Sequence, residues 1–212
     1  MIPSDPPLLA AGFHGVPDGH VAAIVTALEM TAPPPPRPTR TDDGLVLQKV
    51  ARPELRWYRA LFRRIGSDWL WASRLEWSDE QLAATLHDRH VEIFAALPEG
   101  AGAPENAIGL VELDLRYPPN CEIAFFGLVP GFTGKGFGRV MMDFALARAW
   151  AAPGVTRVWI HTCTLDDPLA LPFYMRSGFR AFTRQVEILP DPRLSGGLPR
   201  EAAARVPVIE PR

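Results

Sequence analysis

Cysteine is scarce in this chain: Cys121 and Cys163 are the only two among 212 residues. Both sit in strand-like runs, so no disulfide framework is expected, and neither CxxC nor HExxH spacing occurs to hold a metal. A reducing cytoplasm is the simplest home. Positive charge is missing from the first thirty residues, and the apolar run Val21 to Leu28 is too short to span a bilayer. Neither secretion nor membrane insertion is expected. An excess of one sign of charge is lacking too: 22 Lys and Arg against 24 Asp and Glu leave −2, which argues against nucleic acid or another general polyanion as partner. No internal repeat is visible.

What is present fits one ordinary domain with extensions. Apolar residues make up 47% and charged residues 22%, the balance of a globular protein large enough to bury well over half of its unfolded surface. Residues 1–43 mix prolines with one helix expected over Val21 to Met30, and read as an N-terminal arm and stiff linker. Residues 44–189 carry the domain, and 190–212, rich in proline, glycine and arginine, read as a loose tail. Within the domain a strand is expected over Leu45 to Val50, then a helix over Pro53 to Ile65. That helix has Leu55, Tyr58, Leu61, Phe62 and Ile65 on one face and a solvated stripe of Arg52, Arg56, Arg59 and Arg63 on another. Ser78-Asp79-Glu80 opens a second helix through Asp88. Strands follow over Val91 to Leu97, Ala107 to Arg116 and Cys121 to Val129, with a turn at Pro118-Pro119-Asn120. A helix over Gly136 to Trp150, a strand over 158 to 163, a helix over 168 to 177 and a strand over Phe179 to Leu189 complete an α+β sheet covered on both faces.

The most informative stretch runs from Phe125 to Gly138, an apolar strand entering a loop with Gly131, Gly134, Gly136 and Gly138 and then a helix. Backbone N–H groups converge on a phosphate where no side chain intervenes, and the positive end of the next helix adds to the pull. A P-loop fails, because Val129 stands where its first glycine belongs and Gly136 replaces its hydroxyl residue. A dinucleotide fingerprint fails as well: counted from Gly134 and Gly136, its third glycine is Arg139, and no acidic residue lies at Val155 to Val158. What remains, x-x-x-Gly136-x-Gly138 after Leu128-Val129-Pro130, resembles the acetyl-CoA pyrophosphate loop of the GNAT acetyltransferase superfamily, with Thr133 in the place of the usual Arg or Gln. About forty residues on, Asp167-x-x-Ala170-x-x-x-Tyr174-x-x-x-Gly178-Phe179 resembles a second segment of that family, with Asp for Asn. There Asp167 suits a helix cap, Pro168 a first helical position and Gly178 a left-handed stop.

The resemblance covers residues 44 to 188 and implies a mixed, mostly antiparallel sheet of six to seven strands. Strands 121–129 and 158–163 would splay into a cleft for the pantetheine arm of acetyl-CoA. Leu128 and Val129 would bond that arm through their backbone, and Thr133, Gly134, Lys135, Gly136, Phe137, Gly138 and Arg139 would hold the phosphates. Gly127 is compatible with a bulge. Glu122 would be the general base, on one face with Ala124, Phe126 and Leu128 if no bulge intervenes. A backbone N–H near Leu128 would stabilise the developing oxyanion and Tyr174 would protonate the departing thiolate. A carboxylate at about 4.3 is about six units too weak for an ammonium at about 10.4, so Glu122 needs help from burial or a water relay.

The expected activity is acetyl transfer to a primary amine of a small molecule, with no metal required. A catalytically inactive acyl-CoA sensor or scaffold, or a protein N-terminus or lysine acetyltransferase, stays open, as does the oligomeric state, a homodimer being one option. His161 and Cys163 share a strand face, but no thiolate nucleophile is needed when an amine attacks directly. His87 and His90 read as cap or surface groups. Trp57, Trp69, Trp71 and Trp77 are expected mostly in the core, with one or two facing the acceptor pocket.

Overall fold

In the computed structural model, residues 7–35 and 44–211 are described. The proline-rich linker expected before residue 44 falls largely outside them. Seven strands form one sheet in the order β2-β3-β4-β5-β6-β1-β7. They are β1 (His20–Met30), β2 (Leu45–Lys49), β3 (Val91–Pro98), β4 (Gly109–Asp114), β5 (Asn120–Leu128), β6 (Arg157–Cys163) and β7 (Arg180–Pro190). Every neighbouring pair is antiparallel except β5 and β6. Helices α1 (Leu55–Gly66), α2 (Ser73–Glu76) and α3 (Asp79–Leu86) cover one face; α4 (Phe137–Trp150) and α5 (Ala170–Arg176) cover the other. The chain has the α+β architecture expected.

Local chemistry explains the boundaries. Helix α1 turns Tyr58, Leu61, Phe62 and Ile65 into the core, as their three-to-four spacing requires. Its arginine stripe points away: Arg56 meets Glu54 and Arg59 meets Asp79. Helix α3 starts at a capping box in which Ser78 accepts from the Gln81 N–H and Gln81 accepts from the Ser78 N–H. His87 accepts no catalytic role there, its Nε2 lying 3.1 Å from the Pro53 carbonyl.

Three expectations are corrected. The segment over Val21 to Met30 is not a helix but β1, hydrogen-bonded between β6 and β7. Val21, Ala23 and Val25 are buried and Ala22 and Ile24 are not, a two-residue period; from Thr26 both faces are covered. An alanine-rich apolar run satisfies either period, and the strand's partners lie 128 or more residues away. Residues after Pro190 are not a loose tail. Leu198, Ala202 and Ala203 pack with Val21, Ala23, Leu70 and Leu165, around a buried Arg193 that pairs with Asp191 at 2.7 Å and donates to the Ala202 and Val206 carbonyls. The bulge in β5 is at Ala124, not Gly127: Leu113 pairs with Ile123 and Glu112 with Phe125, leaving Ala124 unmatched. Gly127 has another reason to be glycine, since a Cβ there would lie 2.5 Å from Ile65 Cγ2 and 3.0 Å from the Trp71 ring.

Candidate active site

Strands β5 and β6 are paired only at Asn120 with Arg157, Cys121 with Val158 and Glu122 with Trp159. Beyond Glu122 they separate, and the sheet opens into a cleft of about 980 Å3. Parallel strands that diverge leave the inner edge of each without a ladder partner, so the backbone there is free for a ligand. One cavity thus takes in the end of β5, the glycine loop, the N-terminus of α4, Tyr174 on α5 and the loop after α1.

The glycine loop has the form an anion needs. Gly131, Gly134 and Gly136 have φ of 89°, 75° and 91°, which a side chain would strain, and a Cβ at any of them would meet nothing within 4 Å. Gly136 is the N-cap of the fourteen-residue α4 and no side chain caps it. The start of α4, where the Arg139 N–H donates back to the Gly136 carbonyl at 2.9 Å, borders the cleft and brings the positive end of the helix dipole to it. Thr133, Gly134, Gly136, Gly138 and Arg139 line the cavity. Lys135 does not; its ammonium stands 5.2 Å from the Phe132 ring centre. Phe137 is half-buried at the first position of α4.

On β5, Leu128 lines the cleft, and by alternation its backbone faces the open edge. Val129 does not fit the contact expected of it: its N–H donates to the Ile108 carbonyl at 2.8 Å, toward β4. The bulge also changes the face of the candidate base. Cys121, Ile123, Phe126 and Leu128 pack on the α4 side, whereas Glu122 and Phe125 lie on the α1 side. Glu122 and the Leu128 side chain are therefore on opposite faces, and both reach the cavity because it passes through the fork. Glu122 is held in the cleft with its side chain only 12% exposed and its Oε1 3.6 Å from His161 Nδ1.

Tyr174 is 6% exposed and lines the same cavity. Burial, reinforced by the charges of Asp166 and Asp167, pushes its phenol well above the ordinary value, so it stays protonated. Helix α5 begins at Ala170 rather than at Pro168. Asp167 shapes the preceding turn by accepting from the Leu169 N–H at 2.9 Å, and Gly178, at φ 108°, ends the helix as expected. Burial pushes the Cys163 thiol up to about 11, which suits a bystander and not a nucleophile.

The far end of the cleft is aromatic. Trp69, Trp71 and Trp77 all line it, more than the one or two expected, while Trp57 donates to the Pro104 carbonyl away from it. Trp71 is fixed by a 2.9 Å bond to Asp166, which also accepts from Thr162 Oγ1 and the Cys163 N–H. Arg74 sits 4.0 Å from the Trp77 ring centre and donates to Glu112 at 2.6 Å; Tyr58 donates to the other Glu112 oxygen. Sequence reasoning missed Arg74, Asp166 and the β7 wall at Gln185 to Leu189, because their roles depend on contacts distant in sequence. None of the arginines of the α1 stripe lines the cleft. Among the described residues no helix is long and apolar enough to cross a membrane.

Comparison with known proteins agrees with this geometry. The sequence profile of the Acetyltransferase (GNAT) family matches residues 56–179. No curated protein matches the chain. Among solved structures, a GCN5-related N-acetyltransferase from Sphaerobacter thermophilus superposes with a TM-score of 0.54 at 15% identity, over 81% of this chain and 53% of that one. A functionally unknown conserved protein from Staphylococcus epidermidis gives 0.52 at 14% identity, over 82% and 63%. A spermidine N-acetyltransferase SpeG chimera from Vibrio cholerae and hSSAT gives 0.52 at 24% identity, over 66% and 82%. The chain thus spans between half and two thirds of the first two proteins, and at these identities the likeness is one of fold. With a profile match over more than half its length and a forked sheet that opens at the glycine loop, the chain belongs to the GNAT acetyltransferase family.

Proposed function

We propose that this chain transfers an acetyl group from acetyl-CoA to a primary amine of a small molecule, in the cytoplasm, by direct attack in a ternary complex. The observation that carries the proposal is the fork between β5 and β6, which gathers the glycine loop, Glu122 and Tyr174 around one cavity. The open glycines and the uncapped start of α4 suit the pyrophosphate of acetyl-CoA, with Thr133, Gly134, Gly136, Gly138 and Arg139 around it. Lys135 contributes charge from the loop's outer side and Phe137 packs the first turn. When bound, acetyl-CoA supplies the activated thioester.

The chain's own residues do the rest. The Leu128 N–H, on the open edge, meets the carbonyl oxygen as it gains charge, an effect worth about 3–4 kcal/mol in sites of this kind. Glu122 is the carboxylate on which removal of the amine's proton depends. Tyr174 donates its proton to the thiolate as that leaves, its burial keeping it neutral. The tryptophan-lined end of the cleft holds the acceptor, and the spermidine in the name of one structural neighbour agrees with an amine there. Closing both reactants in one cavity supplies the remaining advantage through proximity.

The test is thiol release from acetyl-CoA against a panel of small amines, for the wild type, Glu122→Gln and Tyr174→Phe, with acetyl-CoA affinity measured alongside. Turnover lowered in both variants at unchanged affinity supports the reading. Binding without turnover for any amine in the wild type points instead to an acyl-CoA sensor.

A further inference from the structure

We infer that the group that takes the proton from the acceptor amine is His161, and that Glu122 acts behind it as its positioning partner. This rests on the acetyl-transfer reading and names a residue of that same site. Glu122 is the last residue of β5 paired to β6, opposite Trp159, so His161 is the first β6 side chain on that face beyond the fork. Its Nδ1 is sealed from solvent without a hydrogen-bond partner and lies 3.6 Å from Glu122 Oε1, while about a third of the side chain is open to the cleft. The ring is steadied by stacking on Trp159 at 5.9 Å. An imidazole so placed has one nitrogen against a carboxylate and the other facing the cavity.

The chemistry improves with this division. A carboxylate stands about six units below an alkyl ammonium and an imidazole about four, so the proton transfer is less uphill to His161. The proton leaves the ammonium nitrogen for Nε2 and the amine lone pair attacks the thioester carbonyl; the C–S bond then breaks as Tyr174 gives its proton to the sulfur, and the second proton that the nitrogen loses as the amide forms restores the Tyr174 phenol. The cation on the imidazole is stabilised by Glu122, and the proton then passes to solvent through the open side of the cleft.

Several other charges around the ring are already matched. Asp114, opposite Glu122 on β4, is held by Arg116 at 2.6 Å; Glu29 on β1 is held by Arg157 at 2.6 Å. Ala27 lies opposite His161 on β1, and Cys163, the next β6 residue on its face, has its thiol raised to about 11 and stays neutral. Asp166 is engaged by Trp71, Thr162 and the Cys163 N–H. Asp167 before α5 and Glu187 on β7 also line the cleft, Glu187 opposite Ala23 and so four residues along β1 from the ring's neighbour Ala27; Glu122 is the carboxylate set beside the imidazole, at 3.6 Å.

Two measurements test this. The first is the pH dependence of kcat/KM for wild type, His161→Gln and Glu122→Gln with an amine that the wild type acetylates. We expect His161→Gln to lower kcat/KM about 100-fold or more and to abolish the acidic limb of the wild-type profile; Glu122→Gln should lower it less and move that limb to lower pH. The second is the NMR titration of the His161 ring, assigned by its loss in His161→Gln. Glu122→Gln should lower its midpoint, since the variant removes the neighbouring negative charge. A His161→Gln enzyme within threefold of wild type, or a His161 titration indifferent to Glu122→Gln, overturns the inference even if acetyl transfer is established. A wild type that binds no acetyl-CoA overturns the acetyl-transfer reading itself, and the base assignment falls with it.

Discussion

Gly66 and Gly127 set where Trp71 sits. A Cβ on Gly66 would lie 2.3 Å from Trp71 Cβ, and one on Gly127 would press on Ile65 and the far edge of the indole. Trp71 in turn packs on Phe62 and Phe125 and holds Asp166. Gly127→Ala is therefore expected to cost about 1–3 kcal/mol of stability and to raise KM for the amine more than for acetyl-CoA, read by thermal melting and steady-state kinetics. Tyr174→Phe removes the proton donor and keeps the packing against Phe126 and Phe179; kcat should fall about 100-fold or more with acetyl-CoA affinity unchanged. At this scale Glu122 and Tyr174 were legible because each sits in a local pattern of glycines or strand residues. Arg74, Asp166 and the closeness of His161 to Glu122 were not, since each arises where segments from 38 to 95 residues apart meet.

Elements announced by a local pattern were readable, strands β2 to β7 among them, and those whose pattern admits two readings were not. The spacing of α1, the Ser78 capping box and the glycine loop before α4 all lie within a few residues of sequence. Strand β1 gives no such clue: its identity as a strand comes from slots beside β6 and β7 that exist only in the finished sheet. The Ala124 bulge is equally silent, and it is what puts Glu122 and the Leu128 side chain on opposite faces. The C-terminal segment hides its order because its organiser is one arginine among prolines and glycines. Arg193 and Asp191 are 1% and 2% exposed, so Arg193→Ala leaves a buried carboxylate without its countercharge and carbonyl oxygens without the guanidinium donor. We expect a loss of about 3–5 kcal/mol and new protease cleavage after residue 190, measured by denaturant unfolding and limited proteolysis. Wild-type stability with an uncut C-terminal segment would contradict that role.

For the whole molecule, burial of weak acids makes the fold sensitive to alkali. The Cys121 thiol is pushed up to about 12 and the Cys163 thiol to about 11, and burial raises the Tyr58 and Tyr174 phenols above their usual value of about 10. Unfolding lets these groups ionise at their ordinary values. Above about pH 9 the unfolded chain thus binds fewer protons than the folded one, and stability falls as pH rises. The melting temperature should decline progressively from about pH 9 to pH 12, and Cys121→Ala should flatten the first part of that decline after allowance for its own cavity. Among the described residues the sheet opens at the fork between β5 and β6, and that cleft has room for two reactants. Calorimetric titration with acetyl-CoA, beside NADH, ATP and CoA lacking its 3′-phosphate, tests that account most directly. Saturable binding of acetyl-CoA in the micromolar range, one molecule per chain and without comparable binding of NADH or ATP, is the predicted result; no acetyl-CoA binding up to millimolar concentration would contradict it.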